Sequence, residues 1–177
     1  MIYQVRNYII LMVYAIIYFN CNILYAETKP NIQIIPSDKP GFVSFFEDAN
    51  SNEFSLSNFS GKLVLVNLWA TWCEPCKEEM PSLDRLQNYF DKKEFHILAI
   101  SIDRGPKKGS LKFFKDFDIE NIDLFFDDKN DIPREIKALG LPVSIFIDSS
   151  GNEIARLIGP AEWDDQYFIE FVKSNLN

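Results

Sequence analysis

Trp69-Ala70-Thr71-Trp72-Cys73-Glu74-Pro75-Cys76-Lys77-Glu78-Glu79-Met80-Pro81 is the stretch on which the reading of the whole chain turns. It joins two unlike segments. Residues 63–70 before it form an apolar run broken only by Asn67, as in a strand buried on both faces. Residues 74–92 predict a helix, with Met80, Leu83, Leu86 and Phe90 on one face. Pro81 inside that helix predicts a kink. The two cysteines therefore sit where a buried strand ends and a helix begins. A helix N-terminus has unpaired N–H groups and a partial positive charge, and both favour a thiolate at Cys73. Cys76 lies one helical turn on, within disulfide reach. Cys73 is the expected nucleophile towards a partner's disulfide, and Cys76 the thiol that resolves the mixed disulfide. Pro75 suits a first turn, where no N–H is needed, and Trp72 is expected to shield the sulfur from one side.

Cysteine use elsewhere supports a redox pair. Of three cysteines, Cys21 lies in the N-terminal leader, which leaves Cys73 and Cys76 in the body of the chain. A loop this small stabilises little as a structural crosslink. A structural zinc ion needs four ligands, and the body offers these two cysteines and the single His96. No metal and no cofactor is therefore expected at the pair. His96 lies in an apolar strand run and reads as a core or edge residue. A net charge of −8 repels phosphate backbones, so nucleic acid is not an expected partner.

Outward from the motif, strands and helices alternate. Strands are expected at 95–102 and 122–126, and helices at 111–117 and 132–139, with a loop over 103–110. Residues 143–148 and 153–158 flank Ser149-Ser150-Gly151-Asn152 as a hairpin. A last helix spans 162–175, with Trp163, Tyr167, Phe171 and Val172 on one face. Residues 42–46 and 53–56 predict an N-terminal hairpin. The pattern is an α/β domain with a central mixed sheet flanked by helices. The domain spans 41–177, after a proline-containing linker at 27–40.

The first 26 residues differ from the rest. Arg6 is their only charged side chain, and Tyr8 to Phe19 is unbroken apolar and aromatic sequence. Residues 1–26 read as a signal peptide cleaved after Ala26, or as an uncleaved membrane anchor. Lipidation at Cys21 is disfavoured by the bulky Tyr18-Phe19-Asn20 before it. Each version places the domain outside the cytoplasm, periplasmic or tethered to the inner membrane.

The segment 69–81 resembles the active site of the TlpA/ResA/CcmG-type thioredoxin-like family. Gly140-Leu141-Pro142-Val143-Ser144-Ile145-Phe146-Ile147-Asp148 resembles that family's cis-proline segment. Gly159-Pro160-Ala161-Glu162-Trp163 resembles its TlpA branch most closely. The resemblance implies a thioredoxin fold with an inserted helix and strand at 110–126. It also implies an extracytoplasmic, often tethered, disulfide reductase. Pro142 then matches the proline facing the cysteines, and the backbone of Leu141 would pair with a bound peptide. Glu79 matches an acidic residue that exchanges protons with Cys76. From the residues alone, Glu79 could equally be a solvated helix glutamate, as Lys77 and Glu78 read. Ordinary thioredoxins resemble this segment but carry a buried Asp at the place of Asn67, which cannot titrate. Glu74, between the cysteines, disfavours a neighbouring thiolate and argues for a reductase.

The implied partners are disulfide-bearing proteins, either copper-site or haem-attachment cysteine pairs, with electrons from a membrane thiol carrier. Two alternatives stay open: a Cu(I) carrier using the cysteine pair, with or without His96, and a general disulfide oxidase or isomerase.

Overall fold

The computed structural model describes residues 32–34 and 39–176. The expected leader at 1–26 lies outside the described residues. In chain order the elements are β1 (Ile32–Ile34), β2 (Phe46–Glu47), β3 (Glu53–Phe54), a 3-10 turn (Leu56–Phe59), β4 (Leu63–Trp69), α1 (Glu74–Asn88), β5 (Phe95–Ser101), α2 (Lys108–Asp116), β6 (Asp123–Phe126), α3 (Asp131–Glu135), β7 (Val143–Ile147), β8 (Glu153–Ile158) and α4 (Gln166–Asn175). One sheet holds all eight strands in the order β1-β8-β7-β4-β5-β6-β2-β3. The pairs β4–β5 and β5–β6 are parallel, and the remaining pairs are antiparallel. This is the thioredoxin fold with an N-terminal hairpin and an inserted α2–β6 unit, as expected.

Strand alternation divides the core in two. Leu63, Leu65 and Trp69 of β4 face a cluster that holds Cys73, Cys76, Met80, Leu83, Phe113, Phe114, Trp163 and Phe168. Val64, Val66 and Leu68 face the other cluster, with Phe46, Phe59, Phe125, Ile132 and Ile136. So α1, α2 and α4 cover one face of the sheet, and α3 with the N-terminal hairpin covers the other. Every residue of β4 and β5 is buried, which is why both read as unalternating apolar runs.

The boundaries differ from the sequence expectations for local reasons. Residues 27–40 are not wholly a linker: Ile32–Ile34 add an edge strand antiparallel to β8. The helix at 74–92 stops at Asn88, because Asp91 starts a turn that accepts from Lys93 N at 2.8 Å and Phe95 N at 3.0 Å. It carries Pro81 in its interior and still runs to Asn88. The helix expected at 111–117 begins earlier, at Lys108. The one expected at 132–139 shortens to Asp131–Glu135, with Lys137 at φ 55° and Arg156 Nη1 donating to Ile136 O at 2.8 Å. The last helix starts at Gln166, not at 162. Asp165 caps it through Tyr167 N at 2.9 Å, and the residues before it are drawn onto α1.

Candidate active site

The motif is built at the junction the sequence indicates. β4 ends at Trp69, and residues 70–72 turn into α1. Cys73 is the N-cap residue, in extended conformation (φ −92°, ψ 101°), and Pro75 lies in the first turn. Cys73 and Cys76 form a disulfide with Cα atoms 5.3 Å apart. Cys73 is 7% exposed and Cys76 fully buried, so a partner reaches Cys73 first. Trp72 is 70% exposed in the turn that leads into α1. Glu74 is exposed and pairs with Lys77 Nζ at 2.5 Å, so its charge in front of the cysteines is partly neutralised.

The turn is held from the side. Asp103, just past β5, accepts from Thr71 N at 3.0 Å and Thr71 Oγ1 at 3.0 Å. Ser101 and Ser110 donate to the same carboxylate, each at 3.0 Å, and tie the start of α2 to the turn. Across the sheet, Leu68 pairs with Val143. That register sets Leu141 and Pro142 at the same sheet end as Cys73. The Leu141–Pro142 bond is cis, and Gly159 N donates to Pro142 O at 3.0 Å.

Glu79 lies one turn beyond Cys76 on the same face of α1. It is 2% exposed and far from a solvated helix residue. Its Oε1 accepts from Asn67 Nδ2 at 2.8 Å, and its Oε2 from Ala161 N at 3.1 Å and Trp163 Nε1 at 2.9 Å. Burial pushes its carboxyl up to about 7, against those three uncharged donors, which favour the ionised form. The group can thus take or release a proton near neutral pH. Ser82 Oγ accepts from Trp163 N at 3.0 Å and donates to Glu79 O at 2.7 Å, which fixes the Trp163 segment to α1.

Sequence reading thus located Cys73, Cys76, Glu79, Leu141 and Pro142 at one end of the sheet. It missed Trp163 as a Glu79 donor and read it only as a helix-face residue. It also missed Asp103, Ser110 and Ser144. The residues 159–163 carried a signal for Trp163 through their family resemblance; nothing local marked the other three. His96 lies elsewhere. Its ring packs on Phe59, on the other sheet face, and Nε2 sits 2.7 Å from Asp123 Oδ2. It is therefore not brought to the cysteines as a third metal ligand.

A redox-ready cysteine pair at the head of a helix, on a thioredoxin fold, defines a thiol–disulfide oxidoreductase. Residues 39–155 match the AhpC/TSA family, and the chain belongs to it. The thiol-disulfide oxidoreductase ResA of Bacillus thuringiensis subsp. konkukian is 30% identical over 132 residues, covering 75% of this chain and 74% of that protein. ResA of Geobacillus thermodenitrificans is 29% identical over 162 residues, 90% of this chain and 89% of that one. Among solved structures, the thioredoxin domain of a thiol-disulfide oxidoreductase from Bacteroides vulgatus superposes with a TM-score of 0.67 at 25% identity, over 81% of this chain and 99% of that chain. Among the described residues, no helix is long and apolar enough to cross a membrane.

Proposed function

We propose that this oxidoreductase works as a reductase of selected protein disulfides outside the cytoplasm. The observation that carries the reading is Glu79: a buried carboxyl beside the cysteine pair with three donors and no cation. In the reduced protein the Cys73 thiolate attacks one sulfur of a partner disulfide and displaces the other as a thiolate. Cys76 gives its proton to Glu79 and attacks Cys73 Sγ. The S–S bond to the partner breaks, and the second partner sulfur leaves as a thiolate. Two electrons pass from the dithiol to the partner, and the protons that neutralise its thiolates come from Glu79 and water. Leu141 and Pro142 lie beside the pair, where a partner's extended segment would align along the Leu141 backbone. Trp72, Glu74 and Pro75 form the exposed rim that such a segment would meet.

The resemblance of residues 159–163 to the TlpA branch favours copper-site cysteine pairs as substrates over haem-attachment pairs. A membrane thiol carrier would return the electrons, and the leader at 1–26 would export or tether the domain.

Equilibration with a dithiol buffer tests the direction of transfer. A reductase should have a potential near that of thioredoxin, about −270 mV. A value near about −120 mV, that of a strong oxidant, would require withdrawing the reductase reading. With the direction set, Cys76→Ser should accumulate mixed disulfides through Cys73 with its substrates in cell extracts. An empty trap would remove Cys73 from the substrate-facing role.

A further inference from the structure

Glu79 has two differently built sides. On Oε2, both partners are fixed donors: the Ala161 backbone N–H and the Trp163 indole N–H can give a hydrogen and can never accept one. On Oε1 the partner is the Asn67 amide, whose Nδ2 also donates to Ser144 Oγ at 2.9 Å. Asn67 is fully buried, and its Oδ1 has no hydrogen-bond partner. Burying an amide oxygen unpaired is unfavourable, so the amide is held in this orientation by what its nitrogen does. An ionised Glu79 requires that nitrogen.

A proton added to Glu79 changes the arithmetic. On Oε2 it would face two N–H groups that cannot accept it, so it must sit on Oε1. On the side of Oε1 that faces Asn67 it meets Nδ2, another donor. Rotating the Asn67 amide by half a turn removes the conflict. Oδ1 then takes the place of Nδ2 and accepts from the Glu79 hydroxyl and from Ser144, whose own hydroxyl reverses. The rotation replaces the two bonds that Nδ2 donates with two that Oδ1 accepts, and turns the Nδ2 hydrogens to the side where Oδ1 has no partner.

We propose that Asn67 is a positioning residue with two amide orientations, its nitrogen on Glu79 when the carboxyl is ionised and its oxygen when the carboxyl is neutral, with Ser144 reversing in step. This rests on the reading of Glu79 as the proton carrier. Its consequence is a one-sided proton path: the proton enters and leaves on Oε1, towards β4. The bonds from Ala161 and Trp163 to Oε2 persist in both states, so the 159–163 segment stays docked through the cycle. Among the described residues, no charged group competes for this control. Burial, Trp163, Asn67 and Ala161 are the influences on Glu79, and Ser144 is neutral. Glu162 and Asp164, which flank Trp163, are engaged by Arg85 at 2.7 and 2.6 Å. The remaining titratable groups nearby are the two cysteines, when reduced.

The experiment is a pH titration of the oxidised full chain by NMR, following the Glu79 carboxyl carbon and the Asn67 side-chain amide together. Both should move with one midpoint, and the Asn67 amide protons should lose their hydrogen-bonded shifts as Glu79 becomes neutral. An Asn67 amide that keeps those shifts across the Glu79 midpoint overturns the proposal. Two variants separate the roles. Trp163→Phe removes a donor that binds the carboxylate more strongly than the neutral acid and should raise the Glu79 midpoint. Asn67→Leu fills similar volume and removes a partner of both forms, so it should raise the midpoint less than half as far. An equal rise would make Asn67 a fixed donor and overturn the rotation. Glu79→Gln supplies a check that does not depend on the Trp163 variant folding. Its amide copies the neutral acid, so Asn67 should present its oxygen at every pH; a pH-independent nitrogen-in signal overturns the proposal. If instead the Asn67 and Glu79 signals move together but the exchange rate ignores the Glu79 midpoint, the rotation stands and the proton-carrier reading fails.

Discussion

Glu79 and Asp123 are two carboxyls on opposite faces of the sheet, and burial acts on both in the same direction. Glu79, beside Asn67 near the end of β4, is pushed up to about 7. Asp123 opens β6, where burial again works against ionisation, but His96 at 2.7 Å and Lys92 at 2.6 Å hold it down to about 2. The difference lies in the partners' charge. Dipolar N–H donors leave a buried carboxyl close to neutrality, whereas a cation such as Lys92 makes it a permanent anion. The Asp123 site is a fastening between β5 and β6, and the Glu79 site can trade protons near pH 7.

The largest expected effect tests whether that contrast is functional. Glu79→Gln should slow reduction of a protein disulfide by about 10²-fold, the low end for loss of a general acid–base group. It should also abolish the inflection near pH 7 in the rate profile. Asp123→Asn should leave that profile in place. If both variants, or neither, alter the inflection, the two carboxyls do not differ in function.

Stability sharpens the same contrast, with opposite signs. Glu79 has its carboxyl raised from 4.5 to about 7, so the folded protein binds a proton that the unfolded chain releases between those values. Stability should therefore fall as pH rises from 4.5 to 7, by about 3 kcal/mol at 1.36 kcal/mol per unit. Glu79→Gln should abolish that fall in a denaturation series on the oxidised protein. Asp123 is lowered from 3.8 to about 2, so its contribution is present above pH 3.8 and is lost as pH falls to 2. Its side chain is 41% exposed, and solvent screening reduces the effect to about 1 kcal/mol. Slopes of the same sign in the two windows would mean that the carboxyls are not held as described.

Much of this was readable in the linear sequence, and the division follows contact range. The buried strands at 63–70 and 95–102, the cysteine pair at a helix start and the hairpin around Gly151 are local patterns, and all appear. Glu79 stood out only by resemblance. Its environment depends on Asn67, Ala161 and Trp163, the last two 82 and 84 positions away. No periodicity encodes such a convergence; it exists only once β7 has paired with β4 and α4 has packed on α1. The edge strand at Ile32–Ile34 escaped for the same reason. Its partner on β8 is remote in sequence, and its prolines and polar neighbours read locally as a linker.

The smallest effect concerns a third carboxylate, exposed where Glu79 is buried and Asp123 half-buried. Glu74 lies in the first turn of α1 between the cysteines, and Lys77 sits 2.5 Å from it. Unpaired, its negative charge would oppose the helix N-terminus and reduce the thiolate share at Cys73. Lys77→Gln should therefore lower the alkylation rate of Cys73 in the reduced protein, about twofold at pH 7 and low salt, the scale of an exposed ion pair. The difference should shrink towards 1 M salt, where the Debye length is about 3 Å. Glu74→Gln in the same background should restore the rate. If alkylation ignores Lys77 and salt alike, the Glu74 charge does not reach the sulfur. The reductase bias assigned to Glu74 would then have to come from elsewhere, first of all from the buried Glu79 carboxyl.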